Sequence, residues 1–325
     1  MLSGLLALTL ISTSIIISFL SYGDKLFFMI SSFLQERYMK LFTSRQIFKL
    51  TEKPLPCLRV NTLRIKEEEL VKRLQARDVV LKKIPFLKHS YFVEKSQVPL
   101  GATPEYLLGH YFLHDAASQA ACEALDPQAG ETVLDMAASP GGKTTYLSQL
   151  IDNKGVIVAV EVNKKRLKRL KSNIMRMGCE NVIAVNRDAS EFKHINIKFD
   201  RVLLDAPCTG TGTASKSPEA LKKGKMDLAS CTTTQRNLIE VAIKVLKKSG
   251  TLVYSTCSLL PEENEIIIDE IVKKHQLELQ TVKAGSRAIT EPYGKTLMKD
   301  IKKASRFYPW EHSTQGFFIA KMKKV

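Results

Sequence analysis

The sequence has no C-x-x-C pair, and its six cysteines, at 57, 122, 179, 208, 231 and 257, lie far apart with no Cys/His cluster at zinc spacing. A disulfide framework and a structural metal are therefore not expected, and a reducing compartment is. There is no internal repeat and no low-complexity linker, which argues against a solenoid or a disordered chain. Acidic residues are in short supply: 33 Asp and Glu stand against 49 Lys and Arg, a formal charge of +16. The excess is spread through the chain without a basic tail. A surface so charged favours a polyanionic partner, bound less tightly as salt rises. Residues 1–23 carry no charge at all and include the run LLALTLISTSIIISFL, long enough for a membrane span. The segment has neither the positive start nor the small-residue cleavage site of a secretory signal. Ser3, Ser12, Thr13 and Ser14 weigh against an anchor, and Met29 and Met39 offer later starts. The preferred reading of residues 1–28 is a start placed too far upstream, with a membrane anchor or an extra buried helix as alternatives.

The remaining chain divides into two textures. Residues 29–110 read as a small α/β domain: a helix in QERYMKLF, a strand in PCLRVNTLRI, an amphipathic helix in KEEELVKRLQAR and apolar pieces near Val79 and Tyr91. Residues 111–325 alternate β-branched runs with helical stretches. ETVLDMAA, GVIVAVE, NVIAVNRD, FDRVLLDAP and GTLVYSTCS are the strands, separated by helices such as KTTYLSQLI, KKRLKRLKSNIMRMG and TQRNLIEVAIKVLKK. That alternation predicts a Rossmann-like α/β domain with a mainly parallel sheet. GFFIAKMKK follows a loop rather than a helix and is expected as an antiparallel C-terminal edge strand.

Three carboxylates fall at the ends of three successive strands. Asp135 precedes the glycine turn of LDMAASPGGKT, Glu161 ends the second strand and Asp188 the third. Gly141 and Gly142 permit close backbone approach at the carboxyl end of the first strand, where open α/β sheets bind ligands. An acidic side chain about 20 residues on suits ribose hydroxyls. Carboxylates in this number describe a nucleoside better than a phosphate-rich ligand. The rival is a P-loop, with Ala137 in place of its first glycine and RVLLD as the Mg²⁺-holding strand. Pro140, lacking an N–H, and Glu161, without a role there, count against it.

DAPCTGTG and YSTCSLLPEENE place Cys208 and Cys257 in polar turns at two further strand ends. A single buried cysteine usually acts as a small hydrophobe; two at equivalent strand ends point to chemistry. Carbon 5 of cytosine is too electron-poor to attack a methyl sulfonium until a nucleophile has added at carbon 6. A thiolate suits that task, and Asp205 is the carboxyl group to meet the ring at N3.

Together, LRVNTLR, LDMAASPGGKTTYLSQL, VAVEVNKKRLKRLKSNIMRMG, the DA of NRDAS, LLDAPCTGTG, LVYSTCSLLPEENE and RFYPWEHSTQGFFIAK resemble the RNA 5-methylcytosine methyltransferase family, the NOL1/NOP2/Sun group. The resemblance runs from about residue 36 to the end. It implies that Cys257, in T-C-S, is the nucleophile and that Cys208, after proline, assists product release. DNA cytosine methyltransferases use the proline-cysteine instead. It also implies S-adenosylmethionine as methyl donor, in a pocket formed by Ala137, Ala138, Ser139, Pro140, Gly141, Gly142, Lys143, Glu161, Arg166, Asp188 and Asp205. Two departures stand out: Ser139 where the family has other small residues, and His114 where glutamine is usual.

RNA is the expected partner, with Arg59, Asn61 and Arg64 of the small domain and Lys216, Lys222 and Lys223 of the loop after Cys208 as its contacts. The target base must be extruded into the pocket, because a stacked carbon 5 is inaccessible. KKRLKRLK reads more readily as a solvated helix face than as an RNA surface. The compact chain resembles the archaeal-type tRNA-modifying members, with ribosomal RNA the runner-up; a non-catalytic RNA-binding protein is the remaining alternative. A monomeric, cytoplasmic protein without metal is expected.

Overall fold

The computed structural model describes residues 29–325, so the apolar N-terminal segment and its three readings lie outside the described residues. Among the described residues no helix is long and apolar enough to cross a membrane. Two sheets organise the described residues. The smaller is antiparallel, in the order β2(Val80–Lys83), β3(Ser90–Lys95), β1(Cys57–Val60), β4(Tyr111–Leu113). Helix α3(Glu67–Gln75) covers it by setting Leu70 and Leu74 against Leu58, Val60, Val93 and Tyr111. Because β4, which follows the short helix α4(Pro104–Leu107), pairs with β1, the small unit extends past the boundary expected at residue 110. Residues at its other end depart from it. Helices α1(Ser32–Leu41) and α2(Ser44–Phe48), with Phe42 between them, bury Leu34, Tyr38, Phe42 and Ile47 against Leu221, Leu259 and Leu260 of the larger unit.

The large sheet follows the β-branched runs of the sequence. Strands β9(Leu246–Thr256), β8(Phe199–Asp205), β5(Thr132–Asp135), β6(Val156–Val160) and β7(Val182–Val185) lie parallel in that order. This is the Rossmann-like α/β arrangement that the alternation of strands and helices in the sequence predicts. Strand β13(Phe317–Lys324) joins β9 antiparallel, as its lack of a preceding crossover helix requires. Three short strands extend that antiparallel margin: β10(Leu277–Gln280) and β12(Ser305–Phe307) pair with β13, and β11(Ser286–Arg287) pairs with β12.

Alternation along each strand feeds two cores. Leu134, Val202, Leu204 and Phe318 face Ile239, Ala242, Ile267 and Ile268 of α8(Lys225–Val245) and α9(Glu265–Lys274). Val133, Leu203, Val253 and Ile319 face Ala117, Ala120 and Ala121 of α5(Ala116–Leu125) and Tyr146 and Leu147 of α6(Gly142–Leu150). Each such Leu or Ile, fully buried, contributes roughly 2 kcal/mol relative to exposure. Helix α7(Lys164–Met177) turns Leu170, Ile174 and Met177 inward; Asn163 caps its start and Gly178, at φ +73°, ends it.

Candidate active site

At the carboxyl ends of the parallel strands a cleft of about 560 Å³ runs from Glu161 and Asp188 to Cys208 and Cys257. Strand β6 delivers Glu161, 4% exposed, with one oxygen accepting the Asn163 amide at 2.8 Å and the other 3.5 Å from Arg166 Nε. Asp188, after β7, is exposed and caps the Ser190 amide at 2.8 Å. Between them Val162, Ala189, Pro207 and Leu238 give the wall apolar faces. A buried carboxylate able to take a diol, a second carboxylate and flanking apolar surfaces fit an adenine nucleoside with its ribose. Arg166 and Arg187 stand at the same rim. A larger cavity, about 920 Å³, lies past Ser190 and Asn237 around Lys193, Glu240 and His275, away from both cysteines.

Of the loop expected to hold the cofactor, Ala137 and Ser139 line the cleft. Ala138, Pro140, Gly141, Gly142 and Lys143 do not, and packing accounts for most of them. Ala138 is bound into the sheet through its amide on Val160, and Pro140 gives its carbonyl to Asn173. Gly141 holds φ +107°, and a Cβ there would come within 3.1 Å of Leu170. One on Gly142 would meet His114 Nε2 at 3.1 Å and Phe112 at 3.4 Å. Both glycines thus serve contact with α7 and the small domain. Asp135 also serves the loop: it accepts from the Thr144 hydroxyl at 2.7 Å and faces the Ala137 amide at 3.4 Å. Burial raises its carboxyl to about 6.

Lys143 is half-buried and bonds Asp205 at 2.7 Å, so the ammonium that a P-loop would point at phosphate is spent on a carboxylate. Burial works against its charge, but the field of Asp205 and the bond to it outweigh that and raise its pKa. The second oxygen of Asp205 accepts from the Ser255 hydroxyl at 2.7 Å. A carboxylate fixed from both sides presents its remaining lone pairs to the cleft in one orientation.

The two thiols meet: Cys208 Sγ and Cys257 Sγ are 3.1 Å apart, one at the end of β8 and the other at the end of β9. The hydrogen bond with Cys257, followed by burial, pushes the Cys208 thiol well above the usual range. Either sulfur can be the donor across this contact, so a proton can be shared between the two thiols. What holds the pair in register is a carboxylate that no sequence motif singles out. Glu263, fully buried, accepts the Thr209 amide at 2.9 Å and the Gln235 amide at 2.9 Å, and also the hydroxyls of Thr209 and Ser258. Asn264 grips the same turn by accepting from Thr256 at 2.6 Å and donating to Ser258 O at 2.9 Å. Behind them Arg306 and Glu265 form a fully buried ion pair, with Arg306 also donating to Leu259 O at 2.9 Å. Helix α8 contributes Thr234, Asn237 and Leu238 to the cleft, a role that the motifs do not announce either. The polar cluster TTTQRN inside an otherwise apolar-periodic helix is the available signal.

The expected RNA contacts divide sharply. Arg59 is fully buried, donating to Gly142 O at 2.9 Å and Thr145 Oγ1 at 3.0 Å with its guanidinium over the Tyr146 ring. Burial lowers its pKa to about 10. Asn61, 1% exposed, donates to Gly109 O and Met177 O, both at 2.8 Å. Both are corrected from RNA ligands to ties between the small domain and the cofactor loop or α7. Arg64 is exposed beside the end of α7. Lys216 is exposed at the rim of a pocket of about 490 Å³ that also touches His114 and Asp115. Lys222 pairs with Glu219, and Lys223 with Asp227. His114 sits against Gly142, held neutral by burial and by the nearby charges of Arg59, Lys143 and Lys216.

Comparison with known proteins gives a consistent picture. A family described as 16S rRNA methyltransferase RsmB/F matches residues 122–323. A mouse 28S rRNA (cytosine-C(5))-methyltransferase is 40% identical over 94% of this chain and 39% of its own length. A Pyrococcus abyssi tRNA (cytosine(49)-C(5))-methyltransferase is 36% identical over 90% of this chain and 95% of its own. The chain spans about half or less of the first four curated relatives it matches. Among solved structures, a methyltransferase homolog from Pyrococcus horikoshii superposes with a TM-score of 0.86 at 41% identity, covering 94% of this chain and 99% of the other. NSun6 from Pyrococcus horikoshii, solved with SFG, an S-adenosylmethionine analogue, gives 0.80 at 28% identity over 90% and 98%.

Proposed function

The chain belongs to the RNA cytosine-C5 methyltransferase family that includes RsmB/F, and on that premise we propose that it methylates carbon 5 of a cytosine in RNA through a covalent adduct on Cys257. The observation that carries this reading is the 3.1 Å approach of two thiols on the wall of the same cleft that holds Glu161. S-adenosylmethionine, when bound, supplies an electrophilic methyl group. Ala137, Ser139, Glu161, Arg166 and Asp188 are the residues that would hold its nucleoside and loop-facing parts.

The chain's own groups do the rest. The Cys257 thiolate adds to carbon 6 of the extruded base, and the electron pair of the C5–C6 double bond becomes available at carbon 5. Asp205, oriented by Lys143 and Ser255, shares a proton with ring N3, which neutralises the negative charge that builds there. Once the methyl group is on carbon 5, loss of the C5 proton to a base restores the double bond and expels the thiolate. Cys208, whose sulfur lies 3.1 Å from that of Cys257, assists that release.

Transfer RNA is the proposed substrate, supported by the tRNA-modifying relative whose length the match spans almost fully. Ribosomal RNA is the second reading, favoured by the 40% identity to the mouse relative and by the RsmB/F match. Cys257→Ala is expected to abolish methyl transfer while keeping donor binding, and Cys208→Ala to trap a protein–RNA adduct that survives denaturing electrophoresis. Methyl transfer retained by Cys257→Ala overturns the nucleophile. Bisulfite mapping of transfer and ribosomal RNA after deletion of the protein separates the two substrates.

A further inference from the structure

Helix α7 carries seven cations, Lys164, Lys165, Arg166, Lys168, Arg169, Lys171 and Arg176, and no carboxylate. Elsewhere the chain neutralises helical cations within a turn, as in Lys40 with Glu36, Arg73 with Glu69 and Lys273 with Asp269. On α7 Arg166 meets Glu161 and Arg176 is held by backbone carbonyls. Lys164, Lys165, Lys168, Arg169 and Lys171 are exposed and make no ion pair or side-chain hydrogen bond with any of the described residues. Three of the seven occupy the first turn, at the positive end of the helix dipole, where cations are unfavourable. Lys164 and Lys168, and Lys165 and Arg169, stand four residues apart and repel. A face charged against its own helix is compensated by an external polyanion.

We infer that this face of α7 is a track for the phosphodiester backbone of RNA, leading from the rim of the methyl-donor cleft toward the small domain. Its position supports this. Arg166 and Arg187 line the cleft at the start of the helix, and Arg64 lies exposed beside Met175 near its end. The apolar side of α7 is already used: Leu170, Ile174 and Met177 are buried, and Met175 is the helix's only large apolar side chain in full exposure. That composition suits phosphate contact and lacks the apolar stripe with which a basic helix enters a membrane surface. The inference rests on the RNA methyltransferase reading and assigns it a surface.

The test replaces Lys164, Lys165, Lys168 and Arg169 together by glutamine in the full chain. A control removes the ion-paired Lys40, Lys247, Lys273 and Lys274 in the same way. Binding of labelled unfractionated transfer RNA and of fragmented ribosomal RNA is followed against salt. The α7 variant is expected to bind at least tenfold more weakly near 0.1 M salt. Its slope of log K against log salt should be shallower by roughly 0.7–0.9 for each phosphate that the helix no longer neutralises. Its melting temperature should equal or exceed the parent's and its donor affinity should not change, while the control keeps the parental slope. An unchanged slope, an equal loss in the control, or a loss confined to phosphatidylserine vesicles overturns the track. If the parent still methylates RNA in that case, the reaction stands and only the surface falls; a parent that neither binds nor labels RNA overturns both.

Discussion

Thr209 gives both its amide and its hydroxyl to the carboxylate of Glu263, which lies 54 residues further along the chain. The contact joins the turn that carries Cys208 to the turn that carries Cys257, and Ser258 and Gln235 complete it. The 3.1 Å separation of the thiols is thus set by a buried anion that touches neither sulfur.

Glu263→Ala removes the acceptor shared by four donors. Although Gln235 keeps Pro207 O and the Thr209 and Ser258 hydroxyls keep each other, the Thr209 amide is left unsatisfied in the interior, so unfolding free energy is expected to fall by about 2–4 kcal/mol in urea titration. Glu263→Gln keeps the volume but replaces one acceptor with a donor. Its single-turnover methyl transfer should fall on the order of 10–100-fold, the cost of misplacing reacting groups, with donor affinity within about twofold. A Gln variant at parental rate means that the clamp does not position the thiols.

Arg59→Met tests the move of this residue from RNA contact to scaffold. The guanidinium satisfies the Gly142 carbonyl and lies over Tyr146, so its loss should lower stability by about 2–4 kcal/mol. Below its melting temperature the variant should bind RNA with the parental salt dependence. Parental stability with a slope about one unit shallower restores Arg59 to the RNA surface.

Asp200 supplies the pH dependence. Burial opposes its charge, but hydrogen bonds from Lys247 and from the amide and hydroxyl of Thr132 prevail and bring its pKa down from 3.8 to about 2. A carboxylate lowered on folding adds stability that is complete above its unfolded value, near pH 4. That stability is lost as pH falls toward 2. With the group partly exposed, the contribution is on the order of 1–2 kcal/mol after allowance for screening. Asp200→Asn should remove that much at pH 7 and flatten the acid limb of stability between about pH 4 and 2. An acid limb identical to the parent's sinks the assignment.

The parallel sheet was readable because burial on both faces leaves β-branched runs bounded by turns, and a strand of that kind needs no long-range information to announce itself. The cysteines were readable because their motifs encode a turn at a strand end. Arg59 and Asn61 were misread for the same reason in reverse. Polar residues alternating with apolar ones look half-exposed, yet all four residues of β1 are buried, covered by α6 on the side that carries Arg59. Glu263 was hidden among Glu262 and Glu265, since the chain passes there through a short 3-10 turn and Asn264 at φ −121°, ψ −103°, where helical period assigns no inward face.

Local order and chemistry came from the sequence alone: which runs are strands, which loop precedes which helix, which thiol sits in T-C-S and which follows proline. Only the folded chain decided which charges turn inward. Lys143 is spent on Asp205 at the cleft wall, Glu263 binds two turns into one site, and α7 is left with unanswered cations. The reason is that a side chain's worth depends on what stands within a few ångströms of it, and those neighbours lie 54 to 83 residues away, beyond the reach of any local pattern.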